Sequence, residues 1–384
     1  MTRRRVLVVA MADSIHTARW LAQFRDEAID VELFPSSPHR RVHPLVQDLE
    51  RSTGPLRLTV TRSMRHAALP LALLDTIAGN RLRAIVLRRR VARFDPDLVH
   101  VVEIQHAGYV ALAAKTALAD RRVIVTNWGS DIFWFQHMPR HRRRIERVLA
   151  LASDYSAECE RDHTLARQLG FRGRRLPLIP NAGGLASPAP DGRQTSSRHA
   201  VIIKGYSGFV GRAVDVLRLL PQLGEDLRDR EVVVYSADLK TRVVASWIQR
   251  RNGIRMSIHP KHALTHDEVL DLMSAARVYV GYSRSDAIST SMLEAMSQGA
   301  YPIQTTTSCA EEWVEHGVSG SLVSFGDHAA LVQEMRRALR DDALVDHAAE
   351  VNAGVCRTRL DPAHVARIAR TFYEPVSSHS LTPR

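Results

Sequence analysis

SDAISTSMLEAMS, residues 285–297, joins a short apolar run at 278–282 to a segment with the apolar periodicity of a helix. The apolar run predicts a buried strand, so this segment is a strand-to-helix junction. The first N–H groups of a helix have no intrahelical partner and its dipole favours negative charge, so such a junction can bind an anion. Asp286 and Glu294 lie on either side of it. Because an acid beside the phosphate site of dinucleotide folds binds sugar hydroxyls, the combination indicates a nucleotide-sugar ligand.

A purely structural interpretation of the same residues remains open from spacing alone. Ser291 and Glu294 have the spacing of a capping box, in which the glutamate only closes the start of the helix. Asp286 is equally compatible with an ordinary turn.

Length and composition indicate two folded domains. The chain has 384 residues, more than one hydrophobic core usually holds. Its hydrophobic content of 45% excludes a disordered chain. Cys159, Cys309 and Cys356 have neither metal-type nor disulfide-type spacing, which indicates a reducing compartment. Since no apolar stretch reaches the roughly 18 residues of a membrane-spanning helix, we expect a cytoplasmic protein.

The positive charge is concentrated in the first half of the chain. Residues 1–190 carry 30 lysines and arginines against 18 acids, whereas residues 191–384 carry 23 of each. Such a field favours an anionic partner, and we expect peripheral contact of this half with the acidic inner face of a membrane. The alternative is that arginine-rich composition produces ordinary solvated faces. No basic stripe interleaved with aromatic residues is present, so nucleic acid is not an expected partner.

Short apolar runs alternate with helix-length segments along the chain. This alternation is typical of βα units and parallel sheets, so we expect two α/β domains with a cleft between them. A segment rich in Gly, Pro and Ser at 182–198 separates two sets of runs. The predicted strands are residues 6–11, 31–35, 98–102, 123–126 and 176–180 in the first set and 200–204, 232–235, 254–258, 278–282 and 301–304 in the second.

Loops that follow these strands are the expected ligand-binding segments, because parallel sheets bind ligands at the carboxyl ends of their strands. The loop KGYSGFVGR, residues 204–212, is rich in glycine and has a cation at each end, as a phosphate site requires. After the first strand, Asp13 or Ser14 can cap a helix that begins near residue 15. The segment NWGSD, residues 127–131, follows the strand at 123–126. Each loop alone is also compatible with an ordinary turn.

Taken together, these motifs resemble the family 4 glycosyltransferases, which have the GT-B fold. The family hallmark is an acid, seven residues, then Glu-Ala-Met, a small residue, a glycine and an apolar strand, and residues 286–302 match it. Downstream, residues 311–314 and 317–323 match the family's Glu-x-Val and Gly-x-x-Gly-x-Leu-Val segments. Counterparts of further family motifs occur in order at residues 14–20, 95–100, 128–131 and 179–183.

The resemblance implies roles for individual residues. Glu294 would hold the ribose of the donor nucleotide, and Asp286 would accept hydrogen bonds from the donor sugar. Lys204 and Arg212 would neutralise the departing diphosphate in place of a metal, so neither a metal nor a cofactor is expected. On this basis the site residues are Lys204, Arg212 and Asp286 for catalysis, Gly205, Tyr206, Ile288, Ser289, Thr290, Ser291 and Glu294 for the donor, and His16, His106, Trp128 and Asp131 for the acceptor.

The resemblance also implies the fold, the domains and the reaction. Two Rossmann-like domains are expected at residues 1–184 and 199–360, joined by a linker at 185–198. A helix at 361–376 would pack back toward the first domain, ahead of a disordered tail at 377–384. The expected activity is retaining, metal-independent transfer from a nucleoside diphosphate sugar to a saccharide or lipid-linked saccharide in cell-surface polysaccharide or lipopolysaccharide assembly.

Three alternatives remain at this stage. One is a soluble small-molecule acceptor, and another is a sugar-nucleotide epimerase of the same fold, which would share the donor site. The third is a nucleic-acid-binding protein, which would explain the basic first half of the chain but has no recognised binding motif in the sequence. A dehydrogenase is disfavoured, because no first strand leads into G-x-G-x-x-G.

Overall fold

The chain forms two compact units. The computed structural model describes residues 3–39, 41–62, 74–186 and 193–375. Unit 1 comprises residues 1–183 and 363–384, and unit 2 comprises residues 184–362. The described part of the predicted linker belongs to unit 2 and contains a short 3₁₀ helix, Thr195–Ser197. The tail predicted at 377–384 lies outside the described residues.

Unit 1 contains a seven-stranded parallel sheet in the order β3-β2-β1-β4-β5-β6-β7. Successive residues of β1 pack into two different clusters of buried side chains, Leu7 and Val9 in one and Val6 and Val8 in the other. Both faces of the sheet are therefore covered, which explains the unbroken apolar runs in its sequence. The strands are β1 Arg4–Ala10, β2 Ile29–Pro35, β3 Arg57–Val60, β4 Leu98–Val102, β5 Arg122–Thr126, β6 Asp154–Ser156 and β7 Arg174–Arg175.

The helices of unit 1 cover these two faces. The helix after β1 is capped by Ser14, one of the two caps that the sequence allows, and its side chain accepts a hydrogen bond from the His16 N–H. A π-helix, Ile104–Gly108, follows β4 directly. The α-helices are Ile15–Ala22, Pro44–Arg51, Arg81–Phe94, Tyr109–Ala113, Ser130–Phe133, Pro139–Leu151, Glu160–Gln168 and, at the carboxyl end of the chain, Pro362–Thr371.

The strand predicted at 176–180 is wrong. Pro177 and Pro180 have no N–H to donate to a ladder, so the pairing with β6 stops after the Leu176 N–H bonds to the Tyr155 carbonyl at 2.9 Å. The outer strands of this sheet are instead β6 and β7, which are too short and too polar to show a strand pattern. β3, on the opposite edge, is not among the strands predicted from the sequence.

Unit 2 contains a six-stranded parallel sheet in the order β10-β9-β8-β11-β12-β13. Four of its strands lie where the sequence predicts them, and the predicted strand at 254–258 is shifted by two residues. The strands are β8 Ala200–Lys204, β9 Glu231–Ala237, β10 Met256–Pro260, β11 Ala276–Gly281, β12 Tyr301–Thr305 and β13 Ser321–Val323. The helices are Ala213–Leu219, Leu239–Asn252, His266–Ser274, Thr290–Ser297, His328–Arg340 and Asp342–Arg359.

The two sheets have the same topology. In each sheet the first strand is central and the next two strands extend to one edge. The fourth strand then pairs with the other side of the first strand, and later strands extend to the opposite edge. The strand order therefore reverses between β1 and β4 in unit 1 and between β8 and β11 in unit 2. In open α/β sheets, ligands bind beside such a reversal, at the carboxyl ends of the strands.

The carboxyl-terminal segment of unit 1 is fixed to its core by a buried polar network. The Tyr373 hydroxyl accepts a hydrogen bond from the Trp20 indole N–H at 2.9 Å and lies 2.9 Å from the Nδ1 atom of His100. The other ring nitrogen of His100 lies 2.7 Å from the Thr126 hydroxyl. Burial, with a smaller contribution from the Arg122 charge, lowers the pKa of His100 from 6.5 to about 3.

We expect this histidine to make unit 1 sensitive to acid. The unfolded chain takes up a proton at His100 near pH 6.5, whereas the folded chain does so only near pH 3. The contribution of the neutral His100 ring to the free energy of unfolding is therefore fully present above pH 6.5. It falls by about 1.4 kcal/mol for each pH unit below that value. Between pH 7 and pH 4.5, the wild-type free energy of unfolding should fall by roughly 2–3 kcal/mol more than that of His100→Gln. Denaturant unfolding at both pH values measures this difference, and equal losses in the two proteins would contradict it.

Candidate active site

A cavity of about 170 Å³ lies at the carboxyl ends of β8 and β11, where the strand order of unit 2 reverses. It combines a lysine, a carboxylate, hydroxyl groups and aromatic rings, which are the groups needed to bind a charged, hydroxyl-rich ligand. The residues that line it are Lys204, Tyr206, Val210, Gly211, Tyr279, Gly281, Tyr282, Ser283, Asp286, Ser289 and Gln304.

The glycine-rich loop after β8 is held by backbone contacts that place Lys204 at the cavity. The Gly205 N–H donates to the Tyr235 carbonyl at 2.7 Å, and a Cβ atom at Gly205 would lie 2.7 Å from the Ala237 Cα. Only glycine allows this approach between the loop and β9. The Ser207 N–H donates to the Asp238 carboxylate at 2.6 Å. The loop is therefore fixed at Gly205 and at Ser207. The exposed Lys204 side chain lies at the carboxyl end of β8.

Arg212, the second predicted cation, is held differently. Its Nε–H donates to the Asp215 carboxylate at 2.8 Å, and its side chain is not part of the cavity lining. Its backbone N–H donates to the Tyr282 carbonyl at 2.9 Å, which ties the glycine-rich loop to the end of β11. An arginine paired with a carboxylate contributes little net charge to a nearby ligand. Of the two predicted cations, Lys204 lines the cavity and Arg212 does not.

The helix Thr290–Ser297 begins two residues earlier than a capping box at Ser291 requires. Its N-cap is Ser289, whose hydroxyl accepts a hydrogen bond from the Met292 N–H at 3.3 Å. The capping-box interpretation of Ser291 and Glu294 is therefore wrong, and the Glu294 carboxylate is not needed to start the helix. Glu294 lies in the second turn, only 6% exposed, with the ring of His266 at 3.7 Å from its Oε1 atom.

The loop that carries Asp286 is anchored by hydroxyls at the end of β12 and just after it. Thr305 and Thr307 both donate to the Ser283 carbonyl, at 3.0 and 2.6 Å. The Asp286 N–H donates to the Thr307 carbonyl at 3.2 Å, and its carboxylate accepts the Ala287 N–H at 3.0 Å. These bonds hold the Asp286 carboxylate at the wall of the cavity, partly exposed.

The structure brings some of the predicted donor residues together and leaves others aside. Lys204, Tyr206, Asp286 and Ser289 share the cavity. The remaining predicted residues lie next to it in sequence but are not among the lining residues: Gly205, Arg212, Ile288, Thr290, Ser291 and Glu294. The roles of all these residues, lining or not, stay predictions.

Gln304 is a cavity residue that the sequence analysis missed. Its Oε1 atom is buried, and no described residue donates a hydrogen bond to it. A buried amide oxygen without a partner costs free energy unless a ligand or water satisfies it. A signal was available, because Gln304 is the polar member of the apolar run at 301–304 and lies at the carboxyl end of β12.

The acceptor candidates of unit 1 lie at the corresponding reversal, around the carboxyl ends of β1, β4 and β5. The rings of His16 and Trp128 are 5.3 Å apart, so the loops after β1 and β5 meet there. His106 lies in the π-helix after β4, and its Nδ1 atom is 3.1 Å from the Glu103 carboxylate. The hydrogen bond to Glu103 raises the pKa of His106 above 6.5, against the opposing effect of burial.

Asp131, another of the acceptor candidates, is buried and does not lie on the surface. Its two carboxylate oxygens accept the N–H groups of Ile104 at 3.1 Å and Trp128 at 2.9 Å, and the side chain is buried. Burial, together with the charge of Glu103, raises its pKa well above the usual value. Asp131 therefore joins the loops after β4 and β5. Its predicted contact with the acceptor stays a prediction.

Comparisons with known proteins identify the family. Residues 5–155 match the model described as "Glycosyl transferase 4-like", and residues 206–341 match "Glycosyl transferases group 1". Together these segments span about three quarters of the chain and fall in unit 1 and unit 2 respectively. The chain is a GT-B glycosyltransferase of family 4. No curated protein sequence matches it.

Solved structures share the fold of this glycosyltransferase over nearly its whole length. Sucrose-phosphate synthase from Thermosynechococcus elongatus has a TM-score of 0.76 at 14% identity, covering 97% of this chain and 98% of the other. Anabaena Alr3699/HepE in complex with UDP has a TM-score of 0.68 at 16% identity, covering 96% and 99%. The trehalose-phosphate synthase (UDP-forming) from Burkholderia vietnamiensis has a TM-score of 0.69 at 12% identity, covering 96% and 98%.

The glycosyltransferase has no described helix with both the length and the apolar character needed to cross a bilayer. Among the described residues that line the cavity, the charged side chains are those of Lys204 and Asp286. This pairing suits a ligand with a negatively charged part and a part rich in hydroxyl groups.

We expect Gly281→Ala to disturb the glycosyltransferase at this cavity. A Cβ atom at Gly281 would overlap the Gln304 Oε1 atom and lie 2.8 Å from the Tyr279 hydroxyl, so the Gln304 side chain, which lines the cavity, must move. Overpacking of this kind costs about 1–3 kcal/mol of stability, and nucleotide binding should weaken with it. Thermal unfolding and nucleotide titration measure the two effects.

The double variant Gly281→Ala/Gln304→Ala removes the overlap with Gln304 but not the close contact with the Tyr279 hydroxyl, and it serves as the control. It should recover part of the thermal stability lost in the single variant. A Gly281→Ala protein with wild-type stability and wild-type nucleotide binding would show that Gln304 does not approach the cavity as described.

Proposed function

We propose that the enzyme transfers a sugar from a nucleoside diphosphate sugar, bound by unit 2, to a saccharide or lipid-linked saccharide bound by unit 1. One observation carries the donor half of this proposal: a cavity at the strand reversal of unit 2 that brings Lys204, Asp286 and the N-cap of helix Thr290–Ser297 together. A helix start beside a lysine stabilises a diphosphate, and a carboxylate accepts hydrogen bonds from sugar hydroxyls.

Proteins with the same fold support this choice of donor. Anabaena Alr3699/HepE is described in complex with UDP and in complex with UDP-glucose, and the Burkholderia vietnamiensis synthase is described as UDP-forming. We infer that the present enzyme also releases a nucleoside diphosphate. Glu294 is the residue that we place at the donor ribose, because its buried carboxylate has no part in capping its own helix.

In the proposed reaction, the bond between the anomeric carbon of the sugar and the diphosphate oxygen breaks. A bond forms between that carbon and the acceptor oxygen, on the same face of the sugar, and the acceptor proton passes to the departing diphosphate. The negative charge that develops on the diphosphate is stabilised by Lys204 and the amides at the helix start. Lys204 and these amides supply the charge stabilisation that a divalent metal would otherwise provide, so we propose that catalysis needs no metal.

A lipid-linked acceptor is favoured by the surface of unit 1. Exposed apolar side chains lie close in sequence to exposed arginines on and before helix Arg81–Phe94, a combination typical of a surface that contacts anionic lipid. The apolar residues are Leu74, Ile77, Leu82 and Ile85, and the arginines are Arg81, Arg88, Arg89 and Arg93. This membrane contact fits a role in cell-surface polysaccharide or lipopolysaccharide assembly. A soluble acceptor remains the second candidate, favoured by the fold's likeness to the sucrose-phosphate and trehalose-phosphate synthases.

Product analysis tests the proposed reaction. The enzyme is incubated with UDP-, GDP-, ADP- and dTDP-sugars in EDTA, with and without saccharide and lipid-linked acceptors, and products are identified by mass and by NMR. We expect acceptor-dependent release of one nucleoside diphosphate and a glycoside with the anomeric configuration of the donor. An epimerised donor formed without acceptor would contradict transfer, an inverted glycoside would contradict retention, and activity only after metal addition would contradict metal independence.

A further inference from the structure

Helix Leu239–Asn252 of unit 2 has apolar side chains on two opposite faces. Thr241, Ala245 and Ile248 are buried against the sheet. On the other side, Leu239, Val243 and Trp247 follow one another at every fourth position, so they form one continuous stripe. They are 71%, 61% and 57% exposed, which is unusual for large apolar residues that share one face of a helix.

The residues around this stripe are basic. The helix carries Lys240, Arg242, Arg250 and Arg251 and contains no acidic residue. All four are exposed, and helical periodicity places Lys240 and Arg251 on one side of the stripe and Arg242 on the other. The Arg251 guanidinium carbon lies 5.5 Å from the centroid of the Trp247 ring.

An exposed tryptophan, two aliphatic side chains and flanking cations are the composition of a helix that lies in a bilayer interface. The apolar stripe enters the boundary of headgroups and acyl chains, and long basic side chains extend to the lipid phosphates. Tryptophan is favoured at this depth because its ring is apolar and its N–H is polar. The helix itself contributes no acidic side chain, and the Asp238 carboxylate directly before it accepts the N–H groups of Ser207 and Thr241.

We propose that the stripe Leu239–Val243–Trp247, with its four basic neighbours, binds the surface of an anionic lipid bilayer. A second copy of the chain is a poor occupant, because pairing this face with itself would oppose four cations with four cations. The inference goes beyond the proposed function, which assigns membrane contact to unit 1 alone. It does not depend on the sugar transferred or on the acceptor.

The helix starts at the same edge of the unit 2 sheet as the cavity, so the proposed lipid-binding surface begins near the donor site. The helix starts directly after β9, with Asp238 as its N-cap, and β9 pairs with β8, which ends at Lys204. The Lys261 N–H donates to the Ala237 carbonyl at 3.1 Å, so the exposed Lys261 lies at the same edge of the sheet. Leu239 and Lys240 are therefore on the side of the sheet where the cavity lies.

Vesicle co-sedimentation of the full chain tests the proposal. The vesicles are phosphatidylcholine alone or phosphatidylcholine with phosphatidylglycerol. We expect binding only to the second, weakened by added salt. The variant Leu239→Ser/Val243→Ser/Trp247→Ser should bind at least about tenfold more weakly, and Lys240→Gln/Arg242→Gln/Arg250→Gln roughly 100-fold more weakly, at about 1 kcal/mol per cation. All six side chains are exposed, so both variants should fold.

Two controls separate this surface from others. The variant Arg218→Gln/Arg228→Gln/Arg357→Gln removes three exposed cations from other helices and turns of unit 2 and should bind like the wild type. The variant Leu82→Ser/Ile85→Ser disturbs the unit 1 surface, so the two membrane contacts are measured independently. Transfer to a soluble acceptor should be unchanged in the unit 2 stripe variants, which distinguishes a failure of lipid binding from a failure of the proposed transferase reaction.

Trp247 also reports its own environment. Its fluorescence should shift to shorter wavelength with anionic vesicles, and the shift should be absent in Trp247→Phe. Wild-type vesicle binding by both stripe variants would overturn the proposal, as would binding that only the unit 1 variant reduces. Concentration-dependent dimerisation that the apolar variant abolishes, without lipid binding, would overturn it in favour of a protein partner.

Discussion

Lys204→Ala is expected to lower kcat by about 100-fold or more, by comparison with the loss of one preorganised charge-stabilising donor in other active sites. Lys204 is the cation at the cavity, at the carboxyl end of the central strand β8. The negative charge of the leaving diphosphate grows as the glycosidic bond breaks, so the lysine stabilises the transition state more than the bound donor. The effect should therefore appear mainly in kcat and less in KM for the donor.

Steady-state kinetics with the best donor and acceptor measure this effect. Arg218→Ala is a control, because Arg218 is an exposed cation of unit 2 that neither lines the cavity nor belongs to helix Leu239–Asn252. Lys204→Arg keeps the positive charge with a different shape and should recover part of the lost activity. A Lys204→Ala enzyme with nearly wild-type kcat would remove Lys204 from the site.

Glu294→Ala is expected to raise the Kd for the nucleoside diphosphate by roughly 10- to 100-fold, since hydrogen bonds to charged groups contribute about 1.5–3 kcal/mol. The carboxylate is buried at 6% exposure in the second turn of helix Thr290–Ser297. The helix is capped by Ser289, so removing the carboxylate should leave the helix itself in place. The loss should therefore fall on ligand binding more than on folding.

Isothermal titration with the nucleoside diphosphate measures this Kd. Glu294→Gln keeps the size of the side chain and should bind with intermediate affinity, which guards against a simple packing defect. Ser297→Ala is the control on the same helix, because the Ser297 hydroxyl donates only to a backbone carbonyl at 2.7 Å. Equal affinities in Glu294→Ala and the wild type would place the ribose elsewhere.

The sequence predicted the architecture well where strands are long and buried on both faces. The central strands β1, β4, β5, β8, β9, β11 and β12 all appear as apolar runs close to their observed positions. The prediction for the edge that β6 and β7 form was wrong, for physical reasons. Residues 176–180 look apolar but contain two prolines, whereas β6 and β7 have only three and two residues, too few for a periodic signal.

The candidate site was predictable in its location and less so in its detail. A parallel sheet brings the ends of β8 and β11 together, so the loop at 204–212 and the segment at 285–297 could be joined from sequence alone. The pairing of Arg212 with Asp215 could have been suspected from their spacing of three residues. The burial of Asp131 could not, because it depends on how the loops after β4 and β5 meet.

The central claim is that the unit 2 cavity binds a nucleoside diphosphate without a metal. Thermal unfolding of the wild-type enzyme in EDTA, with UDP, GDP, ADP, CMP and dTDP in turn, tests it most directly. A nucleotide present at 100 times its Kd should add about 2.7 kcal/mol to the free energy of unfolding. The account predicts that one nucleoside diphosphate raises the melting temperature in this way. No response to any nucleotide, or a response only after a divalent metal is added, would contradict it.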